Sequence, residues 1–185
     1  MVCAARPFDR ARNLFYRLLG MDVPFLSLNL ADEAQTLALG ARLASVLHAG
    51  DFIALTGPLG AGKTTLARGL VRAFVDEDID VPSPTFTLVQ TYSRLSDSAS
   101  AASHTGGGLD LYHFDLYRLK NTEEVWELGW EDIASAVALV EWPNKAGEHL
   151  PDDRLDIVLS FENGGRRAQF FARKQDSWKD RLNGA

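Results

Sequence analysis

A glycine-rich segment at residues 57–64 has the residue types and the spacing of a phosphate-binding loop. Gly57 and Gly62 bracket the segment, and Lys63 and Thr64 follow directly. Glycine lets the backbone curl so that successive N–H groups point at phosphate oxygens, and a helix that begins there adds the positive end of its dipole. The lysine neutralises the β- and γ-phosphates, and the threonine hydroxyl coordinates Mg²⁺. The segment therefore predicts binding of a nucleoside triphosphate.

Hydrolysis of that nucleotide requires a carboxylate near the metal, and Glu141 is the first candidate. It ends the apolar run at residues 136–140. A buried strand that ends in an acid, downstream of the phosphate loop, is typical of a Mg²⁺ site. The usual acid there is aspartate, so a strand-end carboxylate in solvent is the alternative interpretation.

Asp115 is the second candidate, because it lies in the middle of the strand-like run at residues 110–117. An acid in mid-strand is costly if it is buried without partners. Asp115 therefore either serves an active site or faces water. His113 lies on the same predicted face, and a lone histidine in a strand is more typical of a structural residue than of a catalyst.

The sequence leaves the roles of two further features open. Ser83 and Thr85 place two hydroxyls beside the rigid Pro84, as in a switch segment near the γ-phosphate or an ordinary strand entry. Arg118 follows the strand that contains Asp115, and it can simply pair with a surface acid. Spacing alone does not decide between these interpretations.

Hydrophobic periodicity predicts the elements that must position these residues. Asp32 caps the first helix with Gln35 reaching back, and a second helix runs from residue 63 to about residue 74. Asn121 opens a third helix after the run that contains Asp115. The predicted strands are residues 26–30, 51–56, 85–92, 110–117, 136–140, 155–161 and 166–172. A strand–loop–helix unit beside two hairpins predicts an α/β fold with a mixed, partly parallel sheet flanked by helices.

Composition limits the function classes. The chain has 185 residues and a formal net charge of -6, which argues against direct binding of nucleic acid. Its one cysteine, Cys3, cannot form an internal disulfide, which suits a reducing compartment. No apolar run approaches the roughly 18 residues that a membrane span needs. We therefore predict a cytoplasmic protein.

Two segments stand apart from the predicted core. Residues 1–20 carry four arginines and a single acid. This composition suggests a basic amphipathic helix that touches a membrane, RNA or a partner, or an organelle transit peptide. The alternatives are a frayed extension or an over-called start with Met21 as the true one. Residues 94–109 are dominated by serine, alanine and glycine and predict a loop tip. The predicted organisation is an N-terminal extension at 1–25, a nucleotide-binding domain at 26–175 and a C-terminal tail at 176–185.

Four segments in this order resemble the TsaE (YjeE) family of bacterial ATPases in tRNA threonylcarbamoyladenosine biosynthesis. They are GPLGAGKTT, SPTFTLVQTY, HFDLYRL and VEWP, and the resemblance runs from about residue 30 to residue 172. A phosphate loop is shared by many families, whereas HFDLYRL followed by VEWP is far more specific. The resemblance implies a compact P-loop NTPase fold and slow ATP hydrolysis with Mg²⁺. It also implies association with the proteins TsaD and TsaB, and contact with tRNA only through that complex.

The resemblance also implies site residues. Asp115 would assist hydrolysis, and Thr64 with Glu141 would hold Mg²⁺. Thr36 and Arg166 would lie near the base or ribose, with Trp142 packed beside the site. The phosphates would be held by Lys63 and by the loop backbone of Pro58, Leu59, Gly60, Ala61, Gly62, Lys63, Thr64 and Thr65.

Two other functions remain open at this stage. A small-molecule kinase on a similar fold usually carries an arginine-rich lid, and residues 94–108 contain one arginine. A non-hydrolytic, nucleotide-dependent scaffold is poorly separated from an ATPase by sequence.

Overall fold

The computed structural model describes residues 23–94, 108–172 and 177–183. Within these ranges, seven strands form one sheet. They are β1 (Leu26–Leu30), β2 (Phe52–Thr56), β3 (Val89–Arg94), β4 (Leu109–Asp115), β5 (Val137–Glu141), β6 (Leu155–Glu162) and β7 (Gly165–Ala172). The helices are α1 (Glu33–Ala44), α2 (Lys63–Val75) and α3 (Ser177–Asn183). Three 3-10 segments follow β4 and β5, at Thr122–Leu128, Trp130–Ser135 and Pro143–His149.

The sheet is mixed, as the sequence predicts, with the order β1-β7-β6-β2-β5-β4-β3. β2 lies parallel to both β5 and β6, and β5 is also parallel to β4. The hairpin partners β3–β4 and β6–β7 are antiparallel, and β1 adds to β7 in the antiparallel sense. Because parallel strands end at the same edge of a sheet, the residues that close β2, β4 and β5 are brought together there.

Each face of the sheet has its own apolar core. The three helices cover one face, where Leu43, Leu70 and Trp178 pack against inward residues of the central strands. The 3-10 segments cover the other face, where Trp130 makes edge contacts with Phe52 and Phe114. β2 is apolar along nearly its whole length because both of its faces are buried.

α1 and α2 pack so closely that their backbones are in contact where they cross, and this close crossing depends on two glycines. A Cβ at Gly69 would lie 2.2 Å from the carbonyl oxygen of Leu37, and one at Gly40 would lie 2.2 Å from that of Leu66. Both atoms belong to the backbone of the opposite helix, so no side-chain rotation relieves the clash. The glycines therefore set how closely α2, with the loop at its start, approaches α1.

We expect Gly69→Ala to destabilise the fold by about 1–3 kcal/mol, the usual cost of forcing extra volume into a packed interior. Helix propensity alone predicts the opposite sign, a gain of about 1 kcal/mol. Equilibrium urea unfolding of the variant and the wild type measures the difference. A variant at least as stable as the wild type would contradict the close crossing.

The strand prediction for residues 85–92 is wrong over its first half, because β3 begins only at Val89. The N–H of Leu88 donates to the Pro84 carbonyl at 2.6 Å, and Leu88 has a φ of 66°. This turn overrides the strand preference of its threonine and phenylalanine residues. Residues 84–88 therefore form a turn at the edge of the site.

Residues assigned by sequence to the C-terminal tail include α3, which packs on the core. Arg181 donates to both carboxylate oxygens of Asp51, at 2.7 and 3.0 Å, and Trp178 and Leu182 are buried. The arginine-rich residues 1–20 and most of the loop at 94–109 lie outside the described residues. Within the described ranges, every helix falls short of the length and apolarity that a membrane crossing requires.

Candidate functional site

The glycine-rich segment connects β2 to α2, as the sequence predicts. Gly60 and Gly62 have φ values of 76° and 100°, which residues with a Cβ rarely adopt. A Cβ at Gly57 would lie 2.5 Å from the carbonyl oxygen of Leu159 on β6. Glycine is therefore needed at these positions both for the curl of the loop and for its approach to the sheet.

Lys63 begins α2 and is only 5 % exposed. Its ammonium donates to the carbonyls of Gly57 and Pro58 at 2.9 and 3.1 Å and lies 4.1 Å from the ring centre of Trp142. Burial lowers the pKa of Lys63, and the nearby carboxylates of Glu141 and Asp115 oppose that shift. The structure thus places one positive charge between the loop and two acids.

Glu141 ends β5 beside the start of α2 and is 2 % exposed. The Thr64 hydroxyl lies 2.9 and 3.1 Å from its two carboxylate oxygens. His113 Nε2 lies 3.1 Å from Oε1 of the same carboxylate. The prediction that a buried strand ends in this acid is confirmed, and the solvent-exposed alternative is wrong.

The oxygens of Thr64 and Glu141 fit a Mg²⁺ ion. Neighbouring ligands of an octahedral Mg²⁺ lie roughly 2.9 Å apart when each metal–oxygen distance is about 2.0–2.1 Å, and the hydroxyl-to-Oε1 separation is 2.9 Å. The described residues contain no group of three or more His, Cys, Asp or Glu side chains placed to hold a metal. Mg²⁺ commonly takes only one or two carboxylates and keeps several waters.

Asp115 ends β4 next to Glu141 in the register and is 3 % exposed. Its Oδ2 accepts from the hydroxyls of Ser83 and Thr85, and its Oδ1 accepts from the N–H of Tyr117 at 3.0 Å. The burial of this acid is thus balanced by three hydrogen bonds. Ser83 and Thr85 are not a strand entry, because β3 begins only at Val89. Their hydroxyls instead bind Asp115.

Two adjoining cavities open along the loop. One, which we call the loop cavity, has a volume of about 190 Å³ and is lined by Lys63, Thr64, Asp115, Glu141, Trp142 and the Ser83 and Thr85 hydroxyls. The other, the side cavity, has a volume of about 330 Å³ and is lined by Thr36 and Arg166. Gly60, Gly62 and Thr65 line both cavities, so a single ligand can extend from one to the other.

Arg166 forms one wall of the side cavity. Its guanidinium lies 4.5 Å from the ring centre of Phe161 and donates to the Gly60 carbonyl at 3.1 Å. Thr36 also lines this cavity and is buried, and its hydroxyl donates to the Asp32 carbonyl at 3.1 Å. Both residues thus lie beside the glycine-rich loop.

The remaining predicted residues vary in exposure. Leu59 is 79 % exposed at the tip of the loop, whereas Ala61 is buried below it. Arg118 stacks over Phe86 at 4.1 Å and does not line the loop cavity. Trp142, whose ring lies beside the Lys63 ammonium, has a left-handed backbone conformation with a φ of 58°, which no sequence pattern indicates.

The side cavity also contains residues that sequence reasoning missed. Asp32 and Glu33 at the start of α1 line it, together with Gly164 of the β6–β7 turn and Gly165 at the start of β7. The only sequence signals there are a helix cap and a turn, both of which are common in proteins with no site at that position.

The arrangement of parallel strands with a glycine-rich loop between β2 and α2 places this chain in the class of P-loop NTPase folds. The crystal structure of YdiB from Bacillus subtilis has a similar fold, with a TM-score of 0.63 and 28 % sequence identity. The match covers 86 % of this chain and 92 % of that one.

Within that class, the chain belongs to the TsaE family. The family model described as "Threonylcarbamoyl adenosine biosynthesis protein TsaE" matches residues 30–169. A relative from Rickettsia felis is 39 % identical over 75 % of this chain and 74 % of its own length. A relative from Nostoc sp. is 36 % identical over 76 % of this chain and 82 % of its own length. Both are named tRNA threonylcarbamoyladenosine biosynthesis protein TsaE.

Proposed function

We propose that this protein is the Mg²⁺-dependent, ATP-binding and ATP-hydrolysing subunit of the cytoplasmic complex that forms threonylcarbamoyladenosine in tRNA. The observation that carries the proposal is the convergence of Lys63, Thr64 and the two acids Asp115 and Glu141 on the loop cavity. Family membership supplies the pathway, because the relatives are named for threonylcarbamoyladenosine biosynthesis.

The proposed binding mode follows from the two adjoining cavities. Lys63 and the backbone of residues 58–65 hold the phosphates, with N–H donors that begin at Leu59 because Pro58 has none. Thr64 and Glu141 would hold Mg²⁺. When bound, Mg²⁺ neutralises charge that develops on the phosphate oxygens during transfer. The base and ribose then extend into the side cavity between Thr36 and Arg166.

Asp115 is the proposed acid that orients the attacking water and accepts its proton. It lines the loop cavity, and its carboxylate is held in place by hydrogen bonds from Ser83, Thr85 and the Tyr117 N–H. A positioned carboxylate contributes typically 10²–10⁴-fold to such a step. Its fixed orientation supports this role.

Arg166→Ala is expected to weaken ATP binding about tenfold, a loss of ~1.4 kcal/mol, because the side cavity loses a cationic wall. Equilibrium binding of a fluorescent ATP analogue measures the change. The matched control is Arg167→Ala, since Arg167 points to the opposite face of β7 and pairs with Glu162 at 3.1 Å. Equal losses in both variants would contradict the placement of the nucleoside.

The TsaD–TsaB proteins are the proposed partners, and the ATPase cycle is proposed to reset their complex between turnovers. This chain does not carry out the transfer itself. Its contact with tRNA is proposed to be indirect, in keeping with a formal net charge of -6.

The proposal is tested by measuring phosphate release from ATP by the purified protein across a Mg²⁺ titration, with and without TsaD and TsaB. We expect slow release by the protein alone, no release in EDTA, and co-purification with the partners that depends on the nucleotide. Sustained formation of threonylcarbamoyladenosine should require ATP that can be hydrolysed.

The same measurements separate the two alternatives. A small-molecule kinase would transfer labelled phosphate to a metabolite faster than to water. A scaffold would bind ATP and both partners with no phosphate release, even in the full complex. Either result would overturn the proposed hydrolysis.

A further inference from the structure

We propose that His113 is a positioning residue that holds the Glu141 carboxylate in the orientation needed for Mg²⁺ at Thr64. The inference rests on the proposed function, because it concerns the same Mg²⁺ site. It assigns a role to a histidine that touches neither cavity.

The first observation is the register of the two strands. Asp115 pairs with Glu141, and His113 pairs with Leu139, in the parallel β4–β5 ladder. Residues two apart on a strand share a face. His113 therefore lies on the face of the sheet that α2 covers, two residues before Asp115 on β4. From there its ring reaches forward to Oε1 of Glu141 at 3.1 Å.

The second observation is that His113 has no access to a ligand. Its side chain is 0 % exposed, and it does not line the loop cavity. It therefore acts on the site only through Glu141. Since an ionised carboxylate offers only acceptors, the hydrogen of this bond belongs to Nε2.

The third observation is the unpaired nitrogen at the back of the ring. His113 Nδ1 is buried and has no hydrogen-bond partner among the described residues. A buried polar atom left unpaired destabilises the folded state. A phenylalanine or leucine would fill the same space without that cost, so simple packing does not account for a histidine here. The hydrogen bond to Glu141 does account for a histidine at this position.

The consequence concerns the two carboxylate oxygens of Glu141. Glu141 receives hydrogen bonds from two sides, from His113 to Oε1 and from Thr64 to both oxygens. The His113 bond opposes rotation of the carboxylate about its terminal torsion, which is otherwise broad. Partners of this kind behind a metal ligand are typically worth 10–100-fold in metal affinity or activity.

The experiment compares His113→Asn with His113→Gln. The two amides differ by one methylene: the glutamine nitrogen can reach the position of Nε2, whereas the asparagine nitrogen reaches only that of Nδ1. The readout is the ratio between the Kd of a fluorescent non-hydrolysable ATP analogue in EDTA and its Kd in saturating Mg²⁺. This ratio reports metal binding without any dependence on turnover.

We expect His113→Asn to reduce this ratio about tenfold or more while leaving the Kd in EDTA within about threefold of the wild type. We expect His113→Gln to restore most of the ratio. If thermal unfolding shows that the His113→Asn variant is not folded, His113→Phe takes its place. Phenylalanine fills the same space and has no hydrogen-bond donor.

Two results would overturn the inference, and they differ. A ratio of the two Kd values near one for the wild type would contradict the proposed Mg²⁺ site, and with it the role of His113. A large wild-type ratio that survives unchanged in His113→Asn or His113→Phe would leave the Mg²⁺ site intact and reject His113 as its positioning residue.

Discussion

Lys63→Ala is expected to reduce ATP turnover by about 100-fold or more and to weaken ATP binding by roughly 10–100-fold. Removing a single donor that stabilises transition-state charge typically costs about 10²–10³-fold in rate. Hydrogen bonds to charged groups contribute about 1.5–3 kcal/mol each to binding. Lys63 is the one lysine that lines either cavity in the described part of the chain, so no neighbour replaces it.

The fold should survive this change. The Lys63 ammonium makes its hydrogen bonds to carbonyls of the loop itself and is near two acids that retain other partners. Lys120→Ala, at an exposed lysine after β4, is the matched control and should keep wild-type turnover. Phosphate release and fluorescent-nucleotide binding are the measurements. Turnover within about threefold of the wild type in Lys63→Ala would refute the proposed phosphate site.

Asp115→Asn is expected to lower turnover by about 100-fold or more while ATP affinity changes by less than about threefold. The amide retains the size of the carboxylate but cannot accept a proton from water at neutral pH, which removes the 10²–10⁴-fold contribution of a positioned base. Because the acid acts in hydrolysis and not in holding ATP, kcat should fall and binding should not.

The structure indicates why asparagine should fit. The amide oxygen can keep the bond from the Tyr117 N–H, and its NH₂ can face the Ser83 and Thr85 hydroxyls, which are able to accept as well as donate. Asp110→Asn is the matched control on the same strand, where the acid binds the exposed Ser93. If Asp115→Asn loses affinity instead of kcat, the acid serves binding and our assignment is wrong.

Much of the fold could be predicted from local sequence. The residues of β1 are those predicted, and β2, β5, β6 and β7 agree within a residue or two, because each is an apolar or alternating run bounded by turn residues. Asp32 caps α1 by accepting from the Gln35 N–H at 2.8 Å, as its sequence position indicates. These features depend on near neighbours in the chain.

The predicted strand start at residue 85 is wrong because the conformation there depends on a distant residue and not on near neighbours in the chain. Thr85 and Phe86 have strand propensity, but the Thr85 hydroxyl binds Asp115, 30 residues further along the chain. Leu88 then adopts a left-handed conformation to close the turn. A local pattern cannot predict a conformation that is stabilised by so distant a partner.

By itself, the sequence determined the glycine-rich loop with Lys63 and Thr64, because the chemistry of phosphate binding needs those residues in consecutive positions. Only the tertiary structure decided what surrounds it. The parallel register of β4 and β5 sets Asp115 beside Glu141, and His113 behind them. The β6–β7 turn carries Arg166 to the loop from 106 residues away in the chain. The order of the strands in the sheet determines which residues surround the loop, and no single run of residues encodes that order.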